Sequence, residues 1–159
     1  MVIKKNAIID QSDGMHFIGI DTPTAEKFSK KGIKRCICIL NGKSSLHVAL
    51  QSRKEEGYII YISKRVLKEL NLKKGVTVQL ELKEDKSTFQ FEEAIEWTEV
   101  LETDPEAKII FDQLTPGNKR SILYLITRIK SSDKRIERSL HIAEQLKRGI
   151  HSAAKLLKK

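Results

Sequence analysis

The spacing of apolar residues changes near residue 92. Before this point, apolar residues come in short runs or alternate with polar ones, and turn residues interrupt them. A period of two residues is typical of strands with one buried face. From about Ala94 onward, apolar residues recur every three or four positions, which is the period of an amphipathic helix. The sequence therefore predicts strands followed by helices.

The clearest predicted hairpin lies at residues 36–50. Residues 36–40 are apolar, and apolar and other side chains alternate from Leu46 to Leu50. Between these segments, the dipeptide of Asn41 and Gly42 favours the positive φ angles of a type I′ turn. The turn chemistry and the alternation together predict two antiparallel strands.

Further short strands accompany this hairpin, and one helix is inserted among them. Ser63 can cap that helix, and Asn71 can end it in the left-handed conformation. Five or six strands with one inserted helix predict a small β-barrel over residues 15–91, after an N-terminal extension at residues 1–14. The additional predicted strands lie at residues 15–21, 58–62, 76–82 and 89–91.

Three helices are predicted in the second half of the chain. Asp104, Pro105 and Glu106 have the residue types of an N-cap, a first-turn proline and a first-turn acid. The second helix follows Pro116 and Gly117, and the third starts at residues 131–133. We therefore expect an α+β protein in which the barrel packs against a three-helix region. The helical region is assigned to residues 92–150 and a basic tail to residues 151–159.

The composition fits an intracellular protein with an ordinary core. The 159 residues are 40% hydrophobic, and their longest apolar runs, of about five residues, are far shorter than the roughly 20 that cross a bilayer. No signal-peptide pattern occurs at the start. Cys36 and Cys38 are one residue apart, and we interpret them as buried thiols because two thiols cannot form a structural zinc site. We therefore expect a cytoplasmic protein that does not bind membranes.

Sequence motifs of catalysis are missing. The four histidines show no metal-ligand spacing, and neither Gly-x-Ser-x-Gly nor His-Glu-x-x-His occurs. The sequence Gly42-Lys43-Ser44 lacks the earlier glycine of a phosphate-binding loop, because Ile37 stands there. The acidic pairs at residues 55–56, 84–85 and 92–93 are interpreted as solvated surface. We therefore expect no enzyme activity, no cofactor and no metal.

Positive charge is concentrated in the helical half. The chain carries 30 Lys and Arg against 21 Asp and Glu, a net charge of +9, of which residues 100–159 contribute +6. Such a surface can bind phosphates, or it can be an ordinary solvated face. Both interpretations stay open at this point. The candidate anion-binding residues are Lys64, Arg65, Arg120, Arg128, Lys130, Arg135 and Arg138.

The segment from residue 101 to residue 146 resembles a known family. It begins LETDPEAKIIFDQL and continues with two arginines at the start of the last predicted helix. In this order and spacing it is similar to the C-terminal region of the YdeI/OmpD-associated, bacteriocin-protection family. The residues that carry the resemblance are Asp104, Pro105, Ala107, Phe111, Leu114, Pro116, Lys130, Arg135 and Arg138.

The first half, residues 17–91, resembles the domain of unknown function that often precedes that region. This resemblance implies a small β-barrel. The order of strand, short helix, Gly75 and strand is also similar to AbrB-type swapped-hairpin and double-psi barrels, some of which bind DNA as dimers. In this chain Val76 replaces the aspartate that commonly follows the glycine. The family name implies an association with bacteriocin tolerance but no reaction.

These observations lead to one functional expectation and two alternatives. We expect a non-enzymatic binding or stress-protection protein. The sequence does not identify its partner, and it leaves open whether the protein forms homo-oligomers. The first alternative is a nucleic-acid-binding regulator that uses the basic surface. The second is an enzyme that acts on a small anionic substrate, motivated by an anion site where Lys64 and Arg65 follow Ser63.

Overall fold

The fold is α+β, as the change in apolar spacing predicts. The structure is a computed structural model that describes residues 1–157. It contains two compact units, residues 1–86 and the residues from Ser87 onward. The first unit is a curled antiparallel sheet with two helices, and the second unit is helical.

Seven strands form the sheet of the first unit, in the order β4-β3-β7-β1-β2-β6-β5 with every neighbouring pair antiparallel. Strand β1 pairs with β7 along residues 2–8 and with β2 along residues 9–12, so it connects the two halves of the sheet. The sheet curls into a half-barrel in which β4 contacts β6. The elements are β1 (Val2–Ser12), β2 (Met15–Ile20), α1 (Thr22–Ser29), β3 (Arg35–Leu40), β4 (Ser44–Ala49), β5 (Gln51–Arg53), β6 (Gly57–Ile62), α2 (Lys64–Glu69) and β7 (Thr77–Glu84).

The strand count exceeds the predicted five or six because of β1 and the three-residue β5. Residues 1–14 were predicted to be an N-terminal extension outside the barrel, and this prediction is wrong because Val2–Ser12 form β1. In the structure Lys5 is half-buried, forms a salt bridge with Asp21 and donates to Thr24 Oγ1 at 3.4 Å. A charged side chain can occupy this position because its ammonium group is paired.

The local signals of the first unit are confirmed. Asn41 and Gly42 have φ angles of 52° and 65°, and they join β3 to β4. Ser63 Oγ accepts a hydrogen bond from the Val66 amide at 3.3 Å, and Asn71 follows α2 with a φ angle of 54°. The apolar side chains of β3 alternate into a core shared with β2, β6, β7 and α1.

The second unit contains five helices within the described residues, where three were predicted. They are α3 (Ile95–Thr103), α4 (Pro105–Gln113), α5 (Pro116–Thr127), α6 (Ser132–Lys147) and α7 (Ala153–Leu156). The three predicted helices correspond to α4, α5 and α6. The helical spacing that begins near Ala94 belongs to α3, and the short α7 is additional. The predicted basic tail contains α7, whose Leu156 is buried. Residues 158–159 of that tail lie outside the described residues.

Side-chain caps define the helix starts of this unit. Asp104 accepts from the Ala107 amide at 3.2 Å at the start of α4, and Ser131 accepts from the Lys134 amide at 3.4 Å at the start of α6. Thr115 caps α5 through the Asn118 amide at 3.2 Å. Pro116 and Gly117 therefore belong to α5 and do not precede it as predicted, because proline fits the first helical turn.

Aromatic side chains fill the core of the second unit. Trp97 is 1% exposed and packs edge-on against Phe111, with ring centres 5.3 Å apart. Trp97 is therefore a packing residue of this core. The strand predicted at Phe89 and Phe91 is wrong, because both rings pack on this core from a segment without strand structure. Among the described residues, no helix is long and apolar enough to cross a membrane.

Candidate functional site

The candidate site is a basic surface on α5 and α6. Arg120, Tyr124 and Arg128 follow one another at four-residue steps on α5, which places them on one face of that helix. On α6, Lys134 and Arg138 are also four residues apart. We call these five residues the basic surface. Tyr124 is 53% exposed, and Arg128 Cζ lies 5.6 Å from the centre of its ring.

Arg138 brings the two helices of the basic surface together. Its Nη1 donates a hydrogen bond to the Leu125 carbonyl oxygen at 2.9 Å. Partial burial, and after it the positive charge of Arg128, lower the pKa of Arg138. The positive charges of Arg128 and Arg138 therefore act on each other at this end of α5.

Arg135 has a structural position instead. Its Nε donates to the Ile129 carbonyl at 2.6 Å, and its Nη2 donates to the Thr127 carbonyl at 2.8 Å. Its Nη1 lies 3.8 Å from Oε1 of the buried Glu96. The last carbonyl groups of a helix lack partners within that helix. Arg135 therefore satisfies the end of α5 and the loop after it, and its donors are directed inward.

Among the described residues, no salt bridge involves a cation of the basic surface. In the part of the chain that the structure describes, the salt bridges include Lys108 with Asp112 and Lys147 with Asp104 and Glu144. None joins a carboxylate to a residue of the basic surface, or to Lys130 in the loop between its helices. The cations there are Arg120, Arg128, Lys130, Lys134 and Arg138.

The other two candidate residues lie in the first unit. Lys64 and Arg65 are exposed in the first turn of α2, a helix of six residues. Arg65 Nε lies 3.8 Å from Glu69 Oε1, one turn further along the same helix. Of the predicted anion-binding residues, the structure thus brings together those of α5 and α6, and it places Lys64 and Arg65 in a separate unit.

A histidine–aspartate pair in the first unit was missed by the sequence analysis. His47 Nδ1 lies 2.6 Å from Asp85 Oδ2, and the Asp85 side chain is 0% exposed. The interpretation of residues 84–85 as solvated surface is therefore wrong for Asp85. The two residues are 38 positions apart: His47 lies in β4, Asp85 directly follows β7, and β3 lies between these strands. No local sequence signal indicates this pair.

The two cysteines are buried thiols, as predicted. Both are fully buried and neither forms a disulfide. Burial raises the pKa of Cys36 to about 11, with a further contribution from Asp85, and it raises the pKa of Cys38 to about 12. Because nucleophilic attack needs the thiolate, these two cysteines are unreactive thiols near neutral pH.

Comparison with known proteins supports the predicted resemblance for the helical half. Residues 91–149 match a family model described as Bacteriocin-protection, YdeI or OmpD-Associated. The matched segment includes α3 to α6 and therefore the whole basic surface. A comparison of the chain with curated proteins gives no match.

Proposed function

We propose that this protein is a non-enzymatic binding protein that takes an anionic partner on the basic surface of α5 and α6. The observation that carries the proposal is the position of Arg138, which donates to the Leu125 carbonyl oxygen at 2.9 Å and so lies at the same end of α5 as Arg128. Arg128 lies beside the exposed ring of Tyr124, and no salt bridge among the described residues pairs either arginine with a carboxylate. A phosphate or another anion would supply the missing charge.

The repulsion between Arg128 and Arg138 indicates that their shared position has a function. Like charges held close together cost free energy, and proteins usually separate them or pair them with acids. Arg138 also loses some hydration, because it is partly buried against α5. A solvated face of separate lysines would avoid both costs. The concentration of positive charge therefore favours the binding interpretation over the solvated-face interpretation.

A heparin-affinity measurement tests the proposal. Heparin is a generic polyanion, so its elution salt concentration reports the strength of the basic surface. We expect Arg128→Glu/Lys134→Glu to elute at clearly lower salt, because two exposed cations are replaced by acids. Lys73→Glu/Lys74→Glu is the matched control, since it changes the net charge equally at exposed positions of the first unit. If both variants elute at the same salt concentration, the basic surface is not the binding site.

The family description motivates a physiological role. It associates its members with bacteriocin protection, and we extend this association to the present chain as part of the proposal. In this interpretation, protection depends on binding at the basic surface. Bacteria that produce the protein should survive bacteriocin treatment better than cells that produce Arg128→Glu/Lys134→Glu. Equal survival of the two strains at equal protein levels would show that protection does not depend on the basic surface.

A further inference from the structure

Tyr124 is the feature of the basic surface that charge alone does not explain. Its neighbours along the chain, Leu123 and Leu125, are buried in the core, whereas Tyr124 is 53% exposed. Arg128 lies over part of its ring at 5.6 Å, in the range of a cation–π interaction. A binding site for simple anions needs no exposed ring. A ring beside guanidinium groups suits a ligand that has both flat aromatic groups and negative charges.

The order of groups along α5 indicates how such a ligand would lie. Because an α-helix rises about 1.5 Å per residue, Arg120, Tyr124 and Arg128 follow one another at intervals of about 6 Å along the helix axis. The sequence of groups is cation, ring, cation, and Arg138 of α6 reaches the Leu125 carbonyl, three positions before the last cation. A single nucleic-acid strand presents phosphates and unstacked bases in the same alternation.

We infer that the anionic partner is single-stranded nucleic acid, with one base stacked on Tyr124 and the neighbouring phosphates bound by Arg120, Arg128 and Arg138. This inference rests on the proposed function and names its ligand class. A duplex hides its base faces inside its own stack, so it could use only the charges. An acidic peptide carries carboxylates but lacks a flat group at every step.

The test measures the fluorescence polarisation of a labelled oligothymidylate, its duplex with oligoadenylate, and labelled polyglutamate. At low salt, we expect the single strand to bind most tightly. Tyr124→Leu should weaken its binding by about 5- to 150-fold, the range for loss of one stacked base. Tyr124→Phe should stay within about twofold, because it keeps the ring.

A second tyrosine provides a matched control. In the first unit, Arg53 Cζ lies 5.1 Å from the centre of the Tyr61 ring, so this pair repeats the local chemistry at another place. Tyr61→Leu should leave affinity unchanged. Thermal unfolding of each variant verifies that it is folded. A strand that contains 2-aminopurine adds a stacking signal, because its fluorescence should fall on binding to the wild type and not to Tyr124→Leu.

The outcomes separate the inference from the proposed function. Equal binding of single strand and duplex, with no effect of Tyr124→Leu, would overturn the inference while the basic surface remains an anion site. Preference for polyglutamate would overturn it in the same way and indicate an acidic protein partner. If none of the probes binds at low salt and heparin does not retain the protein, both the inference and the proposed function fail.

Discussion

At the scale of single residues, the cations of the second unit have two different tasks. Arg135 points inward and satisfies two backbone carbonyls, while Arg128 and Lys134 are exposed. Arg138 combines the two tasks, because it donates to Leu125 and lies beside Arg128. These residues look alike in the sequence, and only their acceptors distinguish them.

The inward task predicts a stability loss. Arg135→Ala leaves the Thr127 and Ile129 carbonyls and the buried Glu96 without this donor. Since a hydrogen bond to a charged group contributes about 1.5–3 kcal/mol and single substitutions rarely cost more than about 4–5 kcal/mol in total, we expect the free energy of unfolding to fall by about 2–4 kcal/mol. Urea denaturation measures this change. Lys134→Ala, at the exposed neighbouring position, should stay within about 0.5 kcal/mol, and an equal loss in both variants would contradict the assignment.

The His47–Asp85 pair leads to a second residue-scale prediction. His47→Ala removes the group 2.6 Å from a carboxylate that has no exposed surface. Because a buried acceptor that loses a partner costs about 1–3 kcal/mol, we expect a loss of stability of that size in chemical denaturation. His141→Ala, at an exposed position of α6, provides the control. Full stability of His47→Ala would show that other contacts of Asp85 suffice.

At the scale of elements, α6 divides its surface between two neighbours. One side carries Lys134 and Arg138, and the latter reaches α5. The other side carries Leu140, Glu144 and Lys147, which line a groove with α3 and α4. Side chains three or four positions apart share a side of a helix. A single helix can therefore present the basic surface and also bind α4 through the salt bridge of Lys147 with Asp104.

Strand β3 leads to a prediction at the same scale, because both of its cysteines face the core. Their pKa values are about 11 and about 12 in the folded protein, against 9.0 without burial. At pH values between 9.0 and these higher pKa values, the unfolded chain releases thiol protons that the folded protein keeps. The free energy of unfolding therefore falls as the pH rises. The slope is about 1.4 kcal/mol per pH unit for each thiol.

Denaturation curves between pH 8 and pH 10.5 measure this slope. Cys36→Ala/Cys38→Ala should be less stable at pH 8, because two buried side chains become smaller. Its stability should fall less steeply with pH than that of the wild type, since the two titrating thiols are absent. Parallel curves for the two proteins would show that the thiols are not the cause.

At the scale of the whole molecule, each compact unit has its own hydrophobic core. The first core lies inside the curled sheet and the second among the helices around Trp97. Each unit also contains its own hydrogen-bonded elements, with the division between Lys86 and Ser87. A unit with its own core can fold alone when it buries enough apolar surface.

We therefore expect both units to fold when they are produced separately. Residues 1–86 should give the circular dichroism of a β-rich protein and unfold cooperatively. Residues 87–159 should give a helical spectrum and retain heparin binding, because the basic surface lies within them. A non-cooperative transition in either fragment would mean that its core is insufficient by itself. If the fragment of residues 87–159 folds but does not bind heparin, the site is not located on the basic surface.

Much of the fold was predictable from the sequence because its signals are local. The turn at Asn41 and Gly42 depends on the φ angles of two residues, and the caps at Ser63 and Asp104 act over three positions. Helical periodicity likewise acts over three or four positions. These effects need no distant partner, so the pattern alone determined the hairpin, the helix starts at Ser63 and Asp104 and the α+β class.

Only the tertiary structure decided which polar groups are neutralised. Lys5 can lie in a strand because Asp21 pairs with it, and Asp85 can be buried because the sheet brings His47 to it. Arg135 belongs to the scaffold because the fold places free carbonyls within its reach, whereas Arg128 remains on the surface. A charged residue has the same position in the apolar–polar pattern whether it stabilises the fold or remains on the surface. The difference arises from partners that are distant in sequence, and these exist only after the chain has folded.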